Sequence, residues 1–409
     1  MKKLVCILLA LLLLAGCGAT PAATTAPTES TEPTTHPNEA ILSQRRQLVM
    51  DYMRSQLDFY WVCDETFEYL STKTNEVELV YEAGKVYRGL PYGQAGGTTA
   101  SFLRYSTGTD EKGIHRLSGL KQDPETGKFL ARRLGSDCSS TLWNAWSQIS
   151  PSISADKRAT KYLTEENGVL RVGNYTCSTE IHADTKKVCR ENGEQTMFEA
   201  YALLQPGDGC VHFKGTGHAI MITAVEVKRN AKTGEILGNT SFVKIMDQTS
   251  GKMRDGCTEY VEALGCEVHI IGNVEKAMSF SQMFSAGYLP ITCKELVDPA
   301  PVAEETLIIE QTGEGDLKSL LKGLTVKSDR AVNIVTVTVS GNGLTQECSM
   351  VAPLKELRSF CLELFLTEPN DVQIGFLDPG ALPAGEYSLV CTAVSTTGKT
   401  VTFETSFTQ

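Results

Sequence analysis

Behind a non-globular N-terminus, the sequence predicts two folded parts, an α+β domain over residues 75–296 and an all-β sandwich over residues 303–409. Three observations carry this. Residues 18–38 are Ala, Thr, Pro, Glu and Ser with hardly an apolar side chain, a composition unable to bury a core. Residues 75–295 alternate short apolar runs with Gly-rich turns and helix-period stretches, the pattern of a mixed domain. Beyond Val297-Asp298-Pro299-Ala300-Pro301, which reads as a linker, the apolar period becomes two.

Residues 1–16 are expected to be an export leader. Lys2 and Lys3 form a basic start, and the apolar run Leu4 to Leu14 is shorter than the ~20 residues that span a bilayer. Leu14-Ala15-Gly16-Cys17 resembles the bacterial lipobox, which implies cleavage before Cys17 and a lipid on its thiol. Two acyl chains, at ~0.8 kcal/mol per buried methylene, make such an anchor durable. Residues 17–40 then act as a tether, whose roughly twenty residues reach about 70 Å when fully extended. The folded part is expected outside the cytoplasm, held to the membrane.

The hydrophobic fraction of 41% and charged fraction of 21% are those of an ordinary globular chain. The formal charge is −11, or −13 without Lys2 and Lys3, which argues against nucleic acid and against electrostatic adhesion to anionic lipid. Of 13 cysteines, ten remain once Cys6, Cys17 and Cys138 are set apart. Cys177/Cys189 and Cys257/Cys266 are close enough in sequence to pair, with connectivity left open. No CxxC pair occurs and no histidine sits at a matching spacing, so neither metal nor cofactor is expected.

A helical segment is assigned to residues 41–74. Leu48, Val49, Tyr52, Met53, Leu57, Tyr60 and Trp61 recur at three- and four-residue steps, predicting an amphipathic helix over Ile41 to Trp61. At the other end, Val335, Val337 and Val339 share a face, as do Tyr387, Leu389, Cys391 and Ala393, then Val401, Phe403 and Phe407. Gly341-Asn342-Gly343 and Thr397-Gly398 mark turns between these runs. Short strands so spaced predict an immunoglobulin-like sandwich of about 100 residues.

Chemistry concentrates at Gly135-Ser136-Asp137-Cys138-Ser139-Ser140. Leu142, Trp146 and Ile149 are helically spaced, placing Cys138 in a first helical turn. A helix N-terminus lowers a thiol pKa from ~8.5, and its N–H groups can hold an oxyanion. Downstream, Pro206-Gly207-Asp208 precedes a strand that opens Gly217-His218-Ala219-Ile220-Met221-Ile222. Cys138 and His218 fit a thiolate–imidazolium pair on a papain-like scaffold. The next strand, Ser241 to Met246, ends in Asp247-Gln248, and antiparallel pairing would bring one of them to accept the His218 Nδ1–H. Asp247 is preferred because a carboxylate better stabilises imidazolium, with Gln248 left open. His212 is read as a structural mid-strand residue, and Trp143 and Trp146 as core.

Together these segments resemble the NlpC-type cell-wall cysteine peptidases. The family pattern is a Pro-Tyr-x-x-Gly-Gly-like segment, Asp-Cys-Ser-Gly opening a helix, then Pro-Gly-Asp and a strand beginning Gly-His. Here it runs as Leu90-Pro91-Tyr92-Gly93-Gln94-Ala95-Gly96-Gly97, Asp137-Cys138-Ser139-Ser140, Pro206-Gly207-Asp208 and Gly217-His218, within about Tyr81 to Thr249. The resemblance implies Cys138 as nucleophile, His218 as base, Tyr92 as a hydroxyl near the oxyanion, and peptidoglycan stem peptide or another envelope peptide as substrate. Two departures stand out. Ser140 replaces glycine beside the nucleophile, and the 45 residues 93–137 predict a loop or lid over the cleft.

Two other readings follow from the same residues. A transglutaminase-like acyl transferase uses Cys, His and Asp in this order, though Ala219-Ile220-Met221 lacks the usual aromatic after the histidine. A non-catalytic module binding envelope glycan or peptide would fit Ser140 and the long insertion.

Overall fold

The helix-period segment after the tether folds as α1 (Pro37–Leu57), four residues earlier at both ends than its periodicity predicts. Proline is preorganised for a first helical turn, so the helix starts inside the expected tether. Tyr60 and Trp61 are not helical. They lie in β1 (Tyr60–Cys63), an aromatic and β-branched run whose alternate residues Trp61 and Cys63 are buried. The computed structural model describes residues 37–70, 77–93, 97–103, 105–118, 135–151, 153, 168–177, 184–214, 216–351, 359–367 and 373–409. The leader, Cys17, and His36 and His182 lie outside them.

From β1 the chain forms β2 (Phe67–Leu70), β3 (Val77–Tyr81), β4 (Val86–Arg88), α2 (Thr99–Leu103), β5 (Ser106–Thr109) and β6 (Ile114–Leu117). The Cys138 segment is α3 (Cys138–Trp146), followed by β7 (Val169–Arg171), α4 (Thr185–Asn192) and α5 (Glu194–Ala202). Then come β8 (Gly209–Lys214), β9 (Thr216–Glu226), β10 (Phe242–Asp247), α6 (Gly251–Arg254), β11 (Thr258–Val261), β12 (Cys266–Ile270), β13 (Asn273–Ser279), α7 (Phe280–Ala286) and β14 (Leu289–Cys293). These strands make two six-stranded sheets, β11-β12-β4-β1-β6-β5 and β13-β10-β9-β8-β14-β7. The chain is mixed α+β, with strands predominating.

The segment 93–137, expected as a loop or lid over the cleft, contributes strands to the first sheet. Its described part supplies α2 and the β5–β6 hairpin, and β6 pairs in parallel with β1. A nest of rings closes one side of this sheet. Trp61 stacks on Tyr87 at 4.7 Å and meets the edge of Phe102 at 5.1 Å, so the insertion shares a core with the N-terminal segment. Residues 119–134 lie outside the described residues.

Helix α1 clamps the second sheet. Arg45 donates to the carbonyls of Glu295, Asp298 and Ala300, while Arg46 donates to Pro206 and Leu296 carbonyls and to Asp208 Oδ1 at 2.9 Å. Burial raises the Asp208 pKa, against the opposing pull of Arg46 and Thr292. The Pro-Gly-Asp turn is therefore a buried strut, and Trp146 Nε1 donates to Gly207 O to tie α3 onto it.

Beyond the linker lie β15 (Leu307–Gln311), α8 (Leu317–Gly323), β16 (Leu324–Ser328), β17 (Val332–Gly341), β18 (Leu344–Val351), β19 (Ser359–Cys361), β20 (Gln373–Ile374), β21 (Glu386–Ser395) and β22 (Thr400–Thr408). They form a three-stranded sheet, β15-β16-β19, and a five-stranded sheet, β20-β18-β17-β21-β22, around one core. The period-two faces are buried as expected at Val335, Val337, Val339, Leu389, Cys391 and Ala393. The all-β expectation fails at α8. Asp316 caps it through Ser319 N, and Leu317, Leu320 and Leu321 enter the core at helical spacing.

This part packs directly on the rest. Thr98 Oγ1 donates to Asn333 Oδ1 at 3.0 Å, Gln148 Nε2 donates to Thr396 O at 2.9 Å, and Ala331 joins the core of the second sheet.

Candidate active site

Helix α3 begins where the sequence places it. Asp137 is the N-cap, its side chain accepting from Ser140 N at 2.7 Å and Ser139 Oγ at 3.0 Å. Cys138 is consequently the first helical residue and is 6% exposed. The cap occupies the Ser140 N–H. By position, the N–H groups of Cys138 and Ser139 are left as the helix-start donors for an oxyanion. Ser140 itself is buried at 1% exposure and belongs to the packed face of the helix.

The segment carrying Tyr92 lies alongside. Ser136 N donates to Pro91 O and Gly93 N donates to Ser136 O, both at 3.1 Å, making a parallel bridge between Tyr92 and Ser136. A Cβ on Gly135 would come within 2.2 Å of Pro91 O, so only glycine permits this approach. The 93–137 insertion therefore leaves and returns to one point, and Tyr92 stays two residues from the nucleophile in this pairing. Tyr92 N is held by Tyr81 Oη at 2.9 Å.

The candidate base comes from the second sheet. His218 is the third residue of β9, and its Nε2–H donates to Asp247 Oδ2 at 2.7 Å from the end of β10. The ring is thus turned opposite to the expected Nδ1 contact, which leaves Nδ1 free of Asp247, and Cys138 is close enough for its charge to act on the ring. Burial alone would lower the His218 pKa. The Cys138 charge, the Asp247 and Cys138 hydrogen bonds and the Asp247 charge overcome it and push the value up to about 10.

Of the two candidates for third residue, Asp247 makes the contact. Gln248 is turned elsewhere, its Nε2 donating to Leu90 O at 2.6 Å, so it fastens the end of β10 to the Tyr92 segment. One residue escaped the sequence reading. Asn273, at the start of β13, donates through Nδ2 to Asp247 Oδ1 at 2.6 Å and is itself buried. Its register opposite Asp247 was the signal, and register is not visible in a lone sequence.

His212, on β8, is the direct cross-strand partner of His218, with ring centroids 6.0 Å apart. Burial, His218 and Lys186 together lower its pKa to about 4. Neither expected disulfide forms. Cys189 is a thiol donating to Tyr288 O at 3.7 Å, and Cys257 and Cys266 are thiols as well. Among the described residues, no group of three or more His, Cys, Asp or Glu side chains could hold a metal. The chain matches no family model and no curated protein.

Proposed function

We propose that the chain is a membrane-anchored, extracytoplasmic cysteine peptidase or amidase of the papain-like, NlpC type, carrying an immunoglobulin-like sandwich and acting on peptidoglycan stem peptide. The observation that carries this is the His218 imidazole, bonded to Asp247 Oδ2 at 2.7 Å and drawn toward its charged form by the neighbouring Cys138. A thiol at a helix start, a histidine beside it and a carboxylate orienting that histidine is the minimal set for acyl transfer.

In this mechanism the Cys138 thiolate attacks an amide carbonyl and the first α3 N–H groups receive the oxyanion. Imidazolium His218 gives its Nδ1 proton to the leaving amine, and a thioester forms on Cys138. Neutral His218 then takes a proton from water as the water attacks the thioester. The acid departs and the thiolate–imidazolium pair is restored. Asp247 keeps Nε2 protonated throughout, so Nδ1 is always the nitrogen that exchanges the proton. Tyr92, whose backbone bridges Ser136, would lend its hydroxyl to the oxyanion in this reading.

Wild-type and Cys138→Ala protein incubated with muropeptides and read by mass spectrometry test the reading. Cleavage by wild type alone is expected. No cleavage, with muropeptide retained by both proteins, would establish a binding module instead. The Asp247 contact also fits a transglutaminase-like acyl transferase, so the digest is repeated with an added primary amine. An amine adduct formed in preference to the free acid would replace hydrolysis with transfer.

A further inference from the structure

The acid–base pair belongs to a longer row of side chains that crosses the sheet. Asn273 on β13, Asp247 on β10, His218 on β9 and His212 on β8 stand side by side, followed by Tyr288 just before β14. The pairing of Leu289 with Val211 puts Tyr288 opposite His212, and the two rings meet edge to face at 4.8 Å. On one side of His218 the row is closed by hydrogen bonds, through Asp247 to Asn273. On the other side it continues with a histidine that makes none to His218.

The orientation of His218 gives that second histidine a place in the reaction. The two nitrogens of an imidazole lie on different edges of the ring. Asp247, on β10, takes the Nε2 edge, and the sheet order β10-β9-β8 sets His212 on the opposite flank. Nδ1 belongs to the ring edge turned away from Asp247, and it is there that the thiol, the scissile carbonyl and the attacking water would gather. The centroid separation of 6.0 Å is too long for a direct bond between the rings and suits one small molecule bonded to both. His212 is half-buried, with Tyr288 packed on it to fix the ring.

We propose that His212 is a positioning residue for hydrolysis of the acyl-enzyme, holding the water that attacks the Cys138 thioester; this rests on Cys138 being the nucleophile. The step is balanced. Water oxygen bonds the acyl carbon, the carbon–sulfur bond breaks, the water proton passes to His218 Nδ1 and the thiolate is released beside the resulting imidazolium. His212 gains and loses no proton. Its depressed pKa agrees with that part, since a neutral ring offers the water one lone pair and one N–H, whereas a second imidazolium would repel the first.

The test separates acylation from deacylation with p-nitrophenyl acetate as the probe. Nitrophenolate release gives the acylation rate, peptide mapping locates the acetyl group, and intact mass of the desalted acetyl-enzyme follows its loss in buffer. In His212→Leu, acetylation of Cys138 is expected within about twofold of wild type while acetyl loss slows roughly tenfold or more, with His212→Gln between them. Hydroxylamine, which attacks a thioester without a positioned water, should strip the acetyl group equally fast from all three proteins. Unchanged acetyl loss in both variants overturns the proposal, as does an equal slowing of both phases, which would mark His212 as merely structural. A wild-type protein not acetylated at Cys138 overturns the nucleophile reading itself, and the proposal with it.

Discussion

The Cys138 half and the His218 half of this candidate site are built in opposite ways. Around Cys138 everything is local, since Asp137 caps the helix whose first residue is the thiol, and one cap bond to Ser140 N sets the geometry. Around His218 everything is distant in sequence. Asp247 is 29 residues away and Asn273 a further 26 beyond it, and they meet only because β9, β10 and β13 pair in one register. A local device survives small shifts elsewhere in the chain. A device assembled across strands depends on every pairing between its members, so substitutions there should separate geometry from chemistry more sharply.

The largest effect is expected at the hinge of the His218 half. Asp247→Asn keeps the shape but removes the charge that favours imidazolium and lets the amide donate toward Nε2, reversing the tautomer. A fall in kcat/KM of roughly 10²–10⁴ with little change in KM is expected, measured on any cleaved muropeptide. A loss confined to KM would show that Asp247 serves binding instead. Asn273→Ala should be milder. It strips one charge-assisted hydrogen bond from a buried carboxylate, costing about 1.5–3 kcal/mol of stability by denaturant unfolding. If Asp247 is held by its bond to His218 alone, activity per folded molecule will not change.

On the Cys138 side the comparable weak point is backbone, not side chain. Gly135→Ala would drive a methyl group into Pro91 O at 2.2 Å, so either the Tyr92 segment or the α3 start must move. About 1–3 kcal/mol of destabilisation is expected. Thiol alkylation at Cys138 should slow with it, because the bridge at Ser136 and the cap at Asp137 sit on adjacent residues. Alkylation at the wild-type rate would mean that the bridge is dispensable to the nucleophile.

The same contrast explains what the sequence disclosed. Asp137, Cys138 and the helix after them were legible because capping is written within four residues. The choice between Asp247 and Gln248 was not, because neighbours on a strand point to opposite faces and β10 carries register shifts near Lys244–Ile245 and Ile245–Asp247. Each shift inverts which face a residue occupies, and nothing local announces it. Tyr60 and Trp61 failed for a related reason. Across four residues an apolar pair satisfies a helix period and a strand period equally, and the pairing of β1 with β4 and β6 decided. The Tyr92–Ser136 bridge closes a 43-residue excursion (93–135), and such a contact has no signature in either segment.

The smallest and most direct contrast lies within the row itself, between two histidines 6.0 Å apart. His218 is pushed up to about 10 and His212 down to about 4, so NMR titration should show one ring protonated and its neighbour neutral from about pH 5 to 9. The stability signs oppose each other. His218 has a raised folded pKa, so its contribution is complete below about 6.5 and is lost as pH climbs toward 10. His212 has a lowered folded pKa, so stability is lost as pH falls from about 6.5 through 4, where the unfolded chain takes up the proton more readily. Cys138→Ala removes the largest influence that raises His218 and should bring its midpoint down while Asp247 still holds it. A His218 midpoint near 6.5 in the wild type would sever the thiol from the imidazole and leave only the Asp247 contact standing.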